Sequence, residues 1–221
     1  MTKYVLNGIS LDVPEEIQTA PIRKMLEKGW YEIEEIRAIR AHLLATDSVL
    51  ELGGGLGYLA AFCAQLVGAD RVTTVEANPI LLPVIEETLS NCGLAGVNIM
   101  HGVAVEKTCG ETESFYISDA FWSGTRKKSK DNNYKKIVAP ALALKELIKI
   151  SQPTILIVDI EGAEEDFFYS ELPSELRLII IELHPSHYPS SSVKNLFLRL
   201  FDQGFIYDTK GSHGAVVVFK R

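Results

Sequence analysis

The stretch Glu51-Leu52-Gly53-Gly54-Gly55-Leu56-Gly57 decides the fold of this chain. It lies between a short predicted strand, residues 49–52, and a predicted helix, residues 58–67. Glycine at such a turn lets backbone amides approach a ligand with no Cβ in the way. The start of the helix adds free N–H groups and the positive end of a dipole. A glycine turn can also serve packing alone, so the spacing of the glycines has to be considered.

That spacing narrows the class of ligand. A dinucleotide fingerprint, G-x-G-x-x-G, would need a third glycine at the position of Tyr58. The sequence also lacks G-x-x-x-x-G-K-[S/T], which excludes a P-loop. Glu76 stands at the end of the second predicted strand, nineteen residues after Gly57. A carboxylate there can accept hydrogen bonds from both hydroxyls of a ribose.

The segments around this turn alternate between strand and helix patterns. Strands over 49–52, 71–75 and 97–100 are separated by helices, and Asn78-Pro79 is predicted to begin the second helix with Asn78 as its N-cap. This order indicates an α/β fold with a mostly parallel sheet. The other predicted elements are a hairpin around Asn7-Gly8, a helical region over 14–44 broken near Gly29, short strands over 113–118 and 136–139, a helix over 141–150, buried strands over 154–159 and 178–183, helices from 164 and over 193–201, and two closing antiparallel strands over 205–208 and 215–220.

Composition sets the limits on class and location. The chain has 221 residues, 47% hydrophobic and 23% charged, which is typical of a single globular domain. We divide it into an N-terminal hairpin and helices, residues 1–45, that pack on a ligand-binding domain, residues 46–221. The net charge of −7 makes nucleic acid an unlikely partner. The absence of a long apolar run or a signal core, and three cysteines without C-x-x-C spacing, predict a cytoplasmic protein with no membrane association.

Three motifs carry a resemblance to a known family. The Glu51-to-Gly57 turn and Val75-Glu76-Ala-Asn-Pro resemble the S-adenosylmethionine (SAM) site of class I methyltransferases. Asp159-Ile-Glu161-Gly-Ala-Glu164 is similar to the D-x-E-G-A-E signature of the FkbM family, which consists mainly of O-methyltransferases acting on natural-product and sugar hydroxyls. The resemblance extends over about residues 25–185. It implies a Rossmann-like class I methyltransferase fold, with an antiparallel C-terminal strand and helices on both faces of the sheet.

The resemblance also implies a set of cofactor-binding residues. Glu51, which stands where the family usually has Asp, would take the amino group of SAM, and Glu76 would take its ribose. The glycines would admit the cofactor backbone, although Gly55 replaces a frequent Asn. The full predicted set is Glu51, Gly53, Gly55, Gly57, Tyr58, Glu76, Ala77 and Val103.

A hydroxyl acceptor also needs a base. Asp159 is our first choice, Glu161 the second and His184 the third, because all three follow buried parallel strands. Each has a plainer alternative: a capping or SAM-orienting carboxylate, a helix-entry acid and a strand-end histidine. His184, His187 and Asp159 do not form a persuasive ligand set, so we assign no metal.

The acceptor side is predicted from aromatic and acidic residues. Tyr31, Glu32 and Trp122 are the candidates for substrate binding, and Tyr31, Tyr58, Phe121 or Trp122 could contact the sulfonium by cation–π interaction. The lysine-rich stretch 126–136 is either a solvated loop or a patch for an acidic substrate.

The predicted reaction is methyl transfer from SAM to a hydroxyl of a small molecule, natural product or sugar. N-methylation or nucleic-acid methylation is the alternative, but the Asn/Asp-Pro-Pro-Tyr/Phe turn of many such enzymes is replaced here by Asp159-Ile-Glu-Gly. A SAM-binding module without catalysis is the alternative of another class.

Overall fold

A computed structural model of the chain describes residues 1–118, 124–125 and 134–221. Its strands are β1 Thr2–Leu6, β2 Ile9–Val13, β3 Val49–Leu52, β4 Val72–Glu76, β5 Asn98–His101, β6 Val103–Val105, β7 Thr112–Ser118, β8 Gly124–Thr125, β9 Tyr134–Ala143, β10 Ile155–Val158, β11 Leu178–Glu182, β12 Ile206–His213 and β13 Val216–Lys220. Its α-helices are α1 Ala20–Lys28, α2 Ile33–His42, α3 Tyr58–Val67, α4 Leu82–Asn91, α5 Leu144–Ser151 and α6 Ser190–Asp202. Short 3₁₀ turns occupy Glu15–Ile17, Ala69–Arg71 and Glu164–Asp166.

The central sheet has seven strands in the order β12-β13-β11-β10-β3-β4-β5. β5, β4, β3, β10 and β11 pair in parallel, and β13 inserts antiparallel to both β11 and β12. This confirms the predicted mostly parallel sheet with an antiparallel C-terminal strand. The strand order changes direction between β3 and β10, so a crevice forms at the carboxyl ends of these two strands.

Helices cover both faces of the sheet, as predicted. On one face α1 to α4 share a core with Val49, whereas α5 and α6 pack with Leu50 and Leu52 on the other. Strands buried on both faces have little reason to alternate apolar with polar residues, which explains the continuous apolar runs of β10 and β11.

The N-terminal hairpin belongs to the same core as the helices of the first face. Leu6, Ile9 and Leu11 are buried in one cluster with residues of α2 and α3. Gly29, at a φ of +67°, ends α1 in the left-handed conformation and separates it from α2, which agrees with the predicted break. The division of the chain near residue 45 stays a prediction.

Several predicted helix boundaries are wrong, and the helix predicted over 193–201 also begins three residues earlier, at Ser190. Asn78 is not an N-cap, because α4 begins at Leu82 and the Asn78 side chain instead accepts a hydrogen bond from the Ile80 amide. The helix predicted from residue 141 begins at Leu144, since residues up to Ala143 pair in β9 with β6. The helix predicted from residue 164 is one 3₁₀ turn.

That turn ends early for a local reason. Phe168 has a φ of +70° and its amide donates a hydrogen bond to the Glu106 carboxylate at 2.9 Å. Phe167 and Phe168 are both buried in the core of the second face. The segment therefore leaves the helical path to bury two aromatic rings.

A second sheet, in the order β6-β9-β7-β8, lies beside the carboxyl end of β5. The two predicted short strands are confirmed here as β7 and β9, with β9 extended by several residues. Most of the predicted basic loop, residues 126–133, lies outside the described residues. None of the helices in the described ranges is both long and apolar enough to cross a membrane.

Candidate active site

A cavity of about 340 Å³ opens where β3, β4, β10 and β11 end. This volume is in the range of small-molecule sites, about 300–1,000 Å³. One wall is formed by the glycine turn and the residues after β4 and β5, a second by the segments after β10 and β11, and a third by α1 and the start of α2. The lining residues used below are Trp30, Tyr31, Glu32, Glu34, Glu35, Gly53, Gly55, Glu76, Ala77, Val103, Asp159, Glu161, Glu182 and His184.

The glycine turn packs closely between β4 and the end of β10. Its amides at Gly53 and Gly54 donate to the Val75 carbonyl at 2.9 and 3.1 Å. Gly53 has a φ of +96°, and a Cβ there would lie 1.9 Å from the Asp159 carbonyl oxygen. Only glycine fits that position, because both the backbone conformation and the space exclude a side chain.

Glu76 lies at the wall of the cavity next to this turn. Its Oε2 accepts a hydrogen bond from the Gly55 amide at 3.0 Å, and its Oε1 accepts one from the Asn78 amide at 2.6 Å. Burial raises the pKa of Glu76, and the backbone hydrogen bonds offset part of that shift. Ala77 and Val103 line the same part of the cavity.

Three of the predicted cofactor residues lie outside the lining of the cavity. Glu51 is 1% exposed and points toward the first turn of α3, where burial raises its pKa to about 8. Gly57 begins α3 and leaves room for Ile85 of α4, whose Cα would be 3.1 Å from a Cβ at this position. Tyr58 accepts a hydrogen bond from Asn7 Nδ2 at 2.6 Å, toward the N-terminal hairpin.

Two of the predicted substrate residues face the glycine turn across the cavity. A Cβ at Gly55 would lie 3.0 Å from the Tyr31 hydroxyl and 3.4 Å from Glu32 Oε1. Burial raises the pKa of Glu32 well above its ordinary value, and its Oε2 has no hydrogen-bond partner among the described residues. The third, Trp122, lies outside the described residues, as does Phe121.

The three predicted catalytic residues come together around one imidazole ring. His184 Nε2 lies 3.5 Å from Glu161 Oε2 and 3.7 Å from Asp159 Oδ1. On its other side, His184 Nδ1 lies 2.7 Å from Glu164 Oε1. Glu182 Oε2 is 4.0 Å from the same Nε2.

Burial and the closeness of several acidic groups shift the pKa values of this cluster. Burial, and then the charges of Glu182 and Glu161, raise the pKa of Asp159 well above its ordinary value. Burial likewise raises the pKa of Glu161 to about 7. Burial lowers the pKa of His184, but the Glu164 hydrogen bond and charge outweigh it and raise the value to about 9.

Sequence reasoning gave no role to three acidic residues of this region. Glu164 is 0% exposed and also accepts a hydrogen bond from the Gly162 amide at 3.0 Å. Glu182 is the half-buried last residue of β11, and an acidic residue within the apolar sequence 178–183 could have been noticed as a candidate. Glu35, buried within α2, has its pKa raised by burial to about 7, and nothing in the sequence distinguishes it from a surface acid.

Comparison with known proteins identifies the family. A family model described as the methyltransferase FkbM domain matches residues 52–207. The chain belongs to the FkbM methyltransferase family. The predicted resemblance is thereby confirmed, and the match covers the four glycines of the turn, Glu76 and the cluster around His184.

A curated relative and two solved structures complete the comparison. The protein-L-isoaspartate O-methyltransferase of Methanococcus aeolicus is 42% identical over 57 residues, so the chain spans only 26% of that protein. The FkbM methyltransferase from Methylobacillus flagellatus has a TM-score of 0.52 at 13% identity, over 95% of this chain and 56% of that one. The precorrin-6y C5,15-methyltransferase from Geobacter metallireducens has a TM-score of 0.51 at 13% identity, over 95% and 90%. These structural matches confirm the class I Rossmann-like fold.

Proposed function

We propose that this FkbM-family chain transfers a methyl group from SAM to a hydroxyl group of a small molecule or sugar. The observation that carries the proposal is one cavity with two different walls. One wall has the glycine turn and Glu76, and the other has Glu161 beside His184. The first suits a nucleoside cofactor and the second suits proton removal.

The wall formed by the glycine turn and Glu76 has groups that suit the charged and polar parts of SAM. When bound, SAM supplies a methyl group on a positively charged sulfur, which leaves with the electron pair of the carbon–sulfur bond. Across the cavity from this wall, Oε2 of half-buried Glu32 is closed off from solvent and has no hydrogen-bond partner among the described residues. Such an oxygen needs a donor, which supports binding of a ligand with cationic groups. Glu76 has further lone pairs to accept ribose hydroxyls, and Ala77 and Val103 offer an apolar surface for the adenine.

On the acceptor wall, we propose that one residue removes the proton of the acceptor hydroxyl. We assign this role to Glu161, whose Oε2 is the carboxylate oxygen closest to His184 Nε2, ahead of Asp159 and Glu182. Its backbone has a φ of +47°, a costly conformation that is often retained at functional positions. Glu161 would accept the proton of the acceptor hydroxyl, and most of the rate would come from alignment of the acceptor with the methyl group that SAM supplies.

The acceptor side favours a neutral or cationic small molecule over a polyanion. Its floor carries several acidic groups, and the whole chain has a net charge of −7. Half-exposed Trp30, with 52% of its surface accessible, lies at the rim and offers a flat surface for an aromatic or sugar ring. The cytoplasmic location stays a prediction.

The test is transfer of isotope from methyl-labelled SAM. The purified full chain is incubated with pools of hydroxylated natural products and sugars, and in parallel with amines, RNA and protein. Label on a small hydroxylated acceptor, lost in Glu161→Gln, is the expected result. Label on RNA, protein or amine nitrogen would contradict the acceptor class, and tight SAM binding without transfer to any pool would favour a non-catalytic binding module.

A further inference from the structure

The oxygen and nitrogen atoms at the end of β10 and β11 are arranged as a ligand set. One ligand atom each from Asp159, Glu182 and His184 lies within 4.8 Å of the others. The distances from His184 Nε2 are 3.7 Å to Asp159 Oδ1 and 4.0 Å to Glu182 Oε2. Donors at about 2.0–2.2 Å from a common cation are about 3–4.4 Å apart, so small shifts complete the geometry.

The orientation of the His184 ring also suits binding of a cation. Glu164 is fully buried and accepts the hydrogen bond of His184 Nδ1 at 2.7 Å. Because a carboxylate only accepts, Nδ1 carries a proton. Nε2 therefore faces Asp159 and Glu182, and a cation that binds there would displace the second proton of the ring. A carboxylate behind the distal nitrogen is the usual support of a metal-binding histidine.

The carboxylates of the set lack the donors that such groups need. Asp159 Oδ1 is closed off from solvent and has no hydrogen-bond partner among the described residues. Within those residues, the ion-pair partner of Asp159, Glu161 and Glu182 is His184 in each case. Together with Glu164 on the other side of the ring, four acidic groups surround one imidazole, and a bound cation would offset their mutual repulsion.

We infer that Asp159, Glu182 and His184 form a binding site for a divalent cation. Two carboxylates and one imidazole suit a first-row divalent metal, and Mn²⁺ is a suitable probe because it accepts both oxygen and nitrogen ligands. Three protein ligands leave coordination positions open toward the cavity, which is the arrangement of catalytic rather than structural sites. From the sequence alone we assign no metal, and we now propose one because Glu182 completes a set of three ligands.

The role of the cation rests on the proposed function. A cation held at the acceptor wall would bind the acceptor hydroxyl oxygen and lower the pKa of its proton. Glu161 would then remove that proton, and Asp159 would be a metal ligand rather than the base. Binding of the cation itself depends on neither SAM nor an acceptor.

The experiment is a titration of the full chain, stripped with EDTA and desalted, with MnCl₂. Free Mn²⁺ is followed by electron paramagnetic resonance in the absence of SAM and acceptor. We expect one saturable site per chain and a rise in Tm on binding. Asp159→Asn, Glu182→Gln and His184→Gln should each raise the Kd at least about tenfold, and Glu164→Gln should raise it about tenfold without changing the stoichiometry.

The matched control is Glu86→Gln, which removes one charge from an exposed position on α4 and should bind Mn²⁺ as the wild type does. Circular dichroism shows whether each variant is folded, and Glu164→Gln tests the site without altering a ligand. No saturable binding by the wild type, or equal affinity in the three ligand variants, would overturn the inference. Because the titration contains no SAM, its failure leaves the proposed methyl transfer intact, and failure of methyl transfer leaves the Mn²⁺ result intact.

Discussion

The carboxylate of Glu76 accepts a hydrogen bond from the backbone amide of Gly55 at 3.0 Å. Its second oxygen is bound by the Asn78 amide, so one side chain connects the glycine turn to the segment after β4. The group predicted to bind a ribose thus also fixes the shape of the turn that faces it. Such preorganisation reduces the cost of ordering the site when a ligand binds.

Replacement of Glu76 should therefore weaken SAM binding strongly. In Glu76→Ala the ribose loses a charged acceptor and the turn loses its support, which should cost about 1.5–3 kcal/mol of binding free energy. Isothermal titration calorimetry with SAM measures this directly. Glu86→Ala, an exposed acid on α4, is the control and should bind normally. An unchanged affinity in Glu76→Ala would place the ribose elsewhere.

The glycine turn gives a prediction about shape rather than charge. Gly53 and Gly93 both have positive φ, +96° and +69°, but a Cβ at Gly93 meets no atom within 4 Å. Gly93→Ala should cost about 1–2 kcal/mol of stability from backbone strain alone. Gly53→Ala adds the overlap with the Asp159 carbonyl, which should cost about 1–3 kcal/mol more and weaken SAM binding. Equal Tm values and SAM affinities for the two variants would contradict the assigned packing.

The position of Tyr58 separates a role in stability from a role in ligand binding. Its hydroxyl accepts a hydrogen bond from Asn7 Nδ2, and Asn7 Oδ1 in turn accepts one from Arg40. Tyr58→Phe should cost about 0.5–1.5 kcal/mol of stability in urea unfolding. SAM affinity should stay within twofold of the wild type. A large loss of SAM affinity would return Tyr58 to the cofactor site, as the sequence predicts.

The parts of the site that depend on local pattern were predictable from the sequence. Strand ends, the glycine turn and Glu76 follow from spacing along the chain, and the parallel order brings Asp159 and His184 to one edge of the sheet. The orientation of Glu51 was not predictable, because residues that alternate along a doubly buried strand face two cores and the sequence does not say which face holds the ligand.

Two other features of the site that the sequence did not predict are a local turn and a long-range contact. Asn78 is a residue type that often caps helices. In the structure it lies in a turn between β4 and α4, where its amide donates a hydrogen bond to the Glu76 carboxylate. Glu164 is one residue of an acidic run, and only the fold shows that it lies behind His184. The Glu164–His184 pair is set by tertiary packing, because the two residues are twenty positions apart in the chain.

An ion pair between a partly exposed arginine and a buried aspartate, outside the cavity lining, gives a prediction on acid stability. Arg177 Nε donates to Asp47 Oδ1 at 2.9 Å, and the Asp47 side chain is 3% exposed. Burial raises the pKa of Asp47, but hydrogen bonds from Arg177, the Leu44 amide and Thr154 outweigh it and lower the pKa below 3.8. The stabilisation is therefore complete above pH 4 and is lost as the pH falls through the lowered value.

Thermal unfolding of Asp47→Asn between pH 7 and pH 3 tests this pair. At pH 7 the variant should be less stable by about 1.5–3 kcal/mol, the range of hydrogen bonds to a charged group. The difference from the wild type should shrink below pH 4. Asp202→Asn, an exposed position at the end of α6, should match the wild type throughout. A difference that is constant with pH would mean that the charge of Asp47 is not what stabilises the fold.

The last prediction separates the base from its neighbours. Glu161→Gln keeps the size of the side chain, the left-handed backbone and the contact with His184, but removes the group that accepts the proton. Its turnover should fall by about 10²–10⁴, the usual contribution of a general base, with SAM affinity within a few-fold of the wild type. Glu34→Gln, which alters another acid lining the cavity, is the matched control and should keep most of its turnover. If Asp159→Asn lost turnover while Glu161→Gln kept it, and Asp159→Asn still bound Mn²⁺ as the wild type does, Asp159 would be the base. Retention of turnover in both variants would mean that the acceptor reacts without a base, because alignment alone then accounts for the rate.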